Sequence, residues 1–135
     1  MVQMLRWAGV LVLSMMMSMA VAEEGEAEKK DYSYIKLSPA FVLNIKRGTG
    51  PRFLQVKAEA LVGSKEDGEA VKNHMAAIRH TMIMTLSNQD GKTIRSTETR
   101  EQLRGQAEEA VKQVLTEMNG KPTIEGLFFT NFVVQ

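Results

Sequence analysis

Polar and apolar residues alternate most regularly over Arg52 to Val62. Leu54, Val56, Ala58, Ala60 and Val62 fall on one side, and Gln55, Lys57 and Glu59 on the other. A period of two is the mark of a strand with one packed and one wet face. Tyr34 to Ile45, rich in aromatic and branched residues, reads as an earlier strand. Pro39 inside it lacks a backbone donor and implies an edge position, a bulge or a break. Lys46 to Pro51 is a turn by composition, so the two strands form a long hairpin.

The period then changes. In Glu69 to Leu86, Val71, Met75, Ile78, Met82 and Leu86 share one helical stripe, and Asp67 stands where a cap belongs. Ser87 to Lys92 ends that helix with turn-forming residues. Thr93-Ile94-Arg95 reads as a short extended piece. Ser96 or Thr97 caps a second helix, which runs to about Met118. Its stripe is Leu103, Ala107, Ala110, Val111, Val114, Leu115 and Met118; Asn119-Gly120 closes it and Pro122 prevents continuation. Thr123 to Gln135 is an almost continuous apolar strand, expected to be central or covered on both faces. The order predicts an α+β domain: an antiparallel sheet, made of the long N-terminal hairpin and the C-terminal strand, packed with two helices.

The start of the chain has no such period. Trp7 to Met19 is apolar but for Ser14 and Ser18, Arg6 precedes it, and Ala20-Val21-Ala22 fits the small-x-small pattern of a cleavage site. Residues 1–22 therefore read as an export signal. It is either cleaved after Ala22 or retained as a short membrane anchor. The apolar run falls short of the about 20 residues that span a bilayer core, which favours cleavage. Residues 23–33 are charged, almost free of large apolar groups, and read as a flexible tether. The folded domain is expected over 34–135.

Composition narrows the function. The net charge is +1 over 135 residues, and there is no cysteine. A balanced charge argues against nucleic acid as a partner. Without cysteine there is no disulfide and no thiolate ligand, so packing alone holds an exported domain. His74 and His80, six apart on a regular helix, face different directions and cannot chelate one metal together. Ser33-Tyr34-Ile35-Lys36 matches a Ser-x-x-Lys pattern, but on a strand the two side chains point to opposite faces. Gly48-Thr49-Gly50 suits a hairpin turn, with no helix start behind it for a phosphate loop. Lys65 to Glu69 departs from the alternating oxygens of a calcium loop. No catalytic group, metal site or cofactor is expected.

Five segments carry a resemblance. They are Tyr34-Ile35-Lys36-Leu37-Ser38-Pro39-Ala40-Phe41-Val42-Leu43-Asn44, Arg52-Phe53-Leu54-Gln55-Val56, Ile78 to Ser87, Ser96-Thr97-Glu98 with Leu103-Arg104, and Phe128 to Gln135. In this order they resemble the periplasmic domain of the flagellar basal-body FliL family. That family commonly has Gly where Thr99 stands, and carries a full membrane helix with a cytoplasmic tail. The resemblance implies a non-enzymatic domain similar to the stomatin/SPFH fold, assembled as a homo-oligomeric ring. It implies partners in the basal body and the stator units of the motor (MotA/MotB type), with the inner membrane as support if the N-terminal segment is retained. The motif positions carried over as structural or interface residues are Pro39, Phe41, Asn44, Leu54, Leu103, Phe129, Phe132 and Gln135. A general envelope scaffold or binding module unconnected with motility is the alternative.

Overall fold

The computed structural model describes residues 29–46, 52–87 and 89–135. The export segment, most of the tether and the Gly48-Thr49-Gly50 turn lie outside the described residues. Among the described residues four strands and three helices follow one another: β1 Ser33–Lys36, β2 Phe41–Asn44, β3 Phe53–Val62, α1 Lys65–Asn73, α2 Met75–Leu86, α3 Thr97–Asn119 and β4 Gly126–Val134. The α+β class and the antiparallel sheet are as predicted. The helix count is not.

β3 is the central strand. β1 and β2 pair with it along one edge and β4 along the other, all antiparallel. Its alternation is the one in the sequence: Leu54, Val56, Ala58, Ala60 and Val62 are all buried against the helices. The first predicted strand is broken at Pro39. Leu37 N–H still bonds Ala58 C=O, whereas Phe41 pairs with Val56. Four residues therefore advance against two, and Ser38, Pro39 and Ala40 bulge out of the ladder.

The predicted helix 69–86 is two helices. α1 begins earlier, because Ser64, not Asp67, is the cap: its Oγ accepts from Asp67 N–H at 3.1 Å. His74 then leaves helical geometry (φ −104°, ψ 17°) and separates α1 from α2. The apolar stripe survives the break, with Val71, Ile78, Met82 and Leu86 buried. The helix of the second stripe starts where expected. Ser96 Oγ accepts from Thr99 N–H and also bonds Thr99 Oγ1, and Gly120 closes the helix at φ 76° in the left-handed region. Of its stripe, Leu103, Ala107, Val111 and Leu115 are buried, while Met118 is exposed. Thr93-Ile94-Arg95 is a turn rather than an extended piece, and it drops Ile94 into the core.

Two expectations about the termini are corrected. The end of the tether is fixed, with Asp31 N–H on Gly63 C=O at 3.0 Å and Lys30 Nζ on Glu125 Oε1 at 2.7 Å. The C-terminal strand is an edge strand, not a central one. Among the described residues it pairs with β3 alone.

Candidate interaction surface

The three helices lie on the face of the sheet that holds Leu54, Val56, Ala58 and Ala60, and this sorts the predicted motif residues. Phe41, Leu54 and Leu103 are core, none more than 2% exposed. Phe129 and Phe132 point the same way from β4, half-buried, with their rings stacked at 5.7 Å. Pro39 sits exposed in the bulge. Asn44 and Gln135 point to the opposite, outer face, and the register brings them together. Asn44 pairs with Phe53, and Phe53 exchanges two backbone hydrogen bonds with Gln135, at 2.8 and 2.9 Å. The three residues form one row across the end of the sheet.

That row belongs to a larger surface. Parity along the strands places Tyr34, Lys36, Val42, Asn44, Phe53, Gln55, Lys57, Glu59, Phe128 and Val133 on the outer face. No helix among the described residues covers it. Tyr34 is 60% exposed, Val42 63%, Phe53 40% and Phe128 41%. These four supply half of the large exposed apolar side chains of the described residues. One end carries Tyr34 edge-on to Phe128, centroids 6.1 Å apart. Lys36, Lys57 and Glu59 occupy the middle. The other end, Val42, Asn44, Phe53, Gln55 and Val133, has apolar and amide groups but no charge. A surface with one uncharged end, and with aromatic groups that stay wet, is suited to covering by another protein.

Two arginines hold this platform to the helices, and neither stands out by residue type alone. Arg79 of α2 donates to Leu37 C=O at 2.9 Å and Pro39 C=O at 2.6 Å, and its guanidinium lies 4.3 Å over the Phe41 ring. It ties up carbonyls that the bulge releases from the ladder. Arg104 of α3 donates to Leu127 C=O at 3.0 Å and to Glu108 at 2.7 Å, and Glu108 accepts from Leu127 N–H at 3.3 Å. Both polar groups of one β4 residue are thus held by α3 side chains. The signal for these residues was their place in the motifs: Arg79 follows Ile78, Arg104 follows Leu103, and Glu108 lies one turn beyond Arg104.

The charges of this cluster are mutually stabilised. Hydrogen bonds to Glu101, offset by burial and reinforced by those to Glu108, raise the Arg104 guanidinium further above its usual range. The Glu101 carboxyl is lowered by its hydrogen bonds from Arg104. For Glu108, burial pushes upward most strongly. Hydrogen bonds from Lys112, Arg104 and Leu127 N–H together outweigh it, so the carboxyl lies below the usual carboxylate range. At the tether, the hydrogen bond and charge of Glu125 raise Lys30. Among the described residues no three His, Cys, Asp or Glu side chains gather as a metal site, and no helix is long and apolar enough to cross a membrane.

The family model for flagellar basal body-associated protein FliL matches residues 34–135. The chain belongs to the FliL family. The match begins within β1 and runs through β4, so it takes in the described sheet but for Ser33, and the three described helices. FliL is a flagellar basal-body family, not known as an enzyme family. No curated protein matches the chain.

Proposed function

We propose that this FliL-family chain is a periplasmic assembly component that associates with the stator units of the flagellar motor. In this reading it supports torque, and with it swimming and swarming under load. Copies assemble as a ring through the stomatin/SPFH-like domain. The outer sheet face provides contact area between copies or with the stator. Residues 1–22 bring the domain across the inner membrane, and residues 23–28 give it reach from that surface. The observation that carries the reading is the family match over residues 34–135, joined to an outer sheet face whose Tyr34, Val42, Phe53 and Phe128 no described residue covers.

The test is a deletion strain assayed for swimming and for swarming on stiff agar. Loss of swarming, restored by the wild-type gene but not by a folded Val42→Glu variant, is the expected outcome. Swimming and swarming that stay unchanged in the deletion strain would sink the assignment to the motor. Full rescue by Val42→Glu would remove the outer face from it.

A further inference from the structure

The free edge of β4 is finished differently along its length. At Leu127 the backbone N–H and C=O are held by Glu108 and Arg104, a side-chain pair standing where another strand would pair. Past the bulge opposite Lys57 and Ala58, no strand among the described residues pairs with the outer edge of β4. Phe53 and Gln135 are a hydrogen-bonded pair in both directions. Alternation along an antiparallel ladder then turns the backbone groups of Phe132 and Val134 to the open side. An open edge of this kind is a template for one more strand.

Beside the same stretch lies a cavity of about 240 Å³ between β4 and α3. Phe129 and Phe132 form its aromatic side. Arg100 stands on the helix side, its guanidinium 5.4 Å from the Phe132 ring centre. The two arginines of this wall differ. Arg104 is neutralised by Glu101 and Glu108, whereas Arg100 donates to Arg95 C=O at 3.1 Å and has no carboxylate within ion-pair reach among the described residues. The wall is therefore short of one negative charge next to an aromatic floor and an unpaired strand edge.

We propose that this edge takes an extended acidic segment of a partner protein as a fifth strand. The backbone of the segment pairs with Phe132 and Val134. Groove-facing side chains, two residues apart, are a branched apolar residue on Phe129 and Phe132 and a carboxylate on Arg100. A helical ligand would leave the strand edge unused. A small anion would leave both the edge and the aromatic floor unused. Extended-strand addition uses all three, with backbone bonds supplying affinity and alternate side chains supplying specificity. The inference does not depend on the motor assignment.

The probe is a fluorescein-labelled peptide, TITETIT, titrated into the purified full chain and followed by anisotropy. Saturable binding is expected, at least tenfold weaker for TITKTIT and for a version N-methylated on the backbone of the central three residues, which removes the pairing N–H in either strand direction. Arg100→Glu should reverse the preference between the glutamate and lysine peptides, which also reports that the variant is folded. Amide exchange of Phe132 and Val134 should slow on binding. Equal affinity for both peptides, no change with Arg100→Glu, or no binding at millimolar peptide overturns the proposal. So does slow exchange of these amides in the free chain that is lost on dilution or on deleting residues 23–28, since the occupant would then be a second copy or the chain's own segment.

Discussion

Replacing Arg104 by methionine tests whether α3 side chains stand in for a missing strand at Leu127. Methionine keeps an unbranched apolar stem, so the loss is chiefly of polar contacts. The guanidinium gives up a 3.0 Å bond to Leu127 C=O and a 2.7 Å bond to Glu108. Leu127 is fully buried, so its carbonyl is left without that donor, at about 1–2 kcal/mol. Glu108, whose side chain is 19% exposed, keeps Lys112 and Leu127 N–H, so its loss is partial and adds less than about 1 kcal/mol. The Glu101 pair is exposed on the glutamate side and screened by solvent, and adds little. The sum is about 2 kcal/mol, which for a domain of this size lowers the melting temperature by about 8 °C. Urea unfolding followed by circular dichroism measures it, with Lys72→Met as the control, because the Lys72–Glu69 pair is long at 3.4 Å and exposed on both sides. Exchange of the Leu127 amide should also quicken. An Arg104→Met loss no larger than that of the control, with Leu127 exchange unchanged, would refute the idea that this pair closes the edge.

Two further predictions concern α3. Glu108 and Glu101 titrate below the usual carboxylate range when folded. Their stabilisation is complete above the unfolded value of about 4.3 and is lost as pH falls through the lower folded values. Melting temperature should therefore drop steeply below about pH 5, and the Glu108→Gln variant should be less stable at neutral pH with a shallower acid limb; identical limbs would count against the network. Gly105 lies inside α3, and an added Cβ would meet no atom within 4 Å. Gly105→Ala should stabilise by about 0.5–1 kcal/mol, and a lower melting temperature would show that this helix face is closely covered.

Much of the fold was legible because its elements repeat a simple period. β3 alternates, α3 has a cap at Ser96 and a stop at Gly120, and both readings match the structure. The break at His74 was hidden for the same reason that the stripe was visible. Only one residue leaves helical geometry, and helical bonding resumes at once, with Ile78 N–H on His74 C=O. Periodicity reports which face is apolar, not whether the axis bends. β4 failed differently. Leu127, Phe129, Phe132 and Val134 face the core, while Phe128 and Val133 face outward with no described element layered over them. A strand apolar on both faces looks the same in sequence whether its second cover is intramolecular or a partner. Of the surface, Asn44 and Gln135 were found as motif positions, but their union through Phe53 depends on register. Arg79, Arg100 and Arg104 became distinguishable only once their neighbours were known.

The division of the first strand at Pro39 has a mechanical meaning. A pull arriving through the residues before Lys30 meets the Lys30–Glu125 ion pair and the Asp31–Gly63 hydrogen bond first. It then meets β1, only four residues long. Peeling β1 from β3 would stop at the bulge, where Arg79 grips the carbonyls of Leu37 and Pro39 from the helix layer. β2, β3 and β4 remain paired behind that point, with Phe41 still seated in the core. Tension applied from that end would thus meet a short section that yields by a few residues before the load reaches the rest of the sheet.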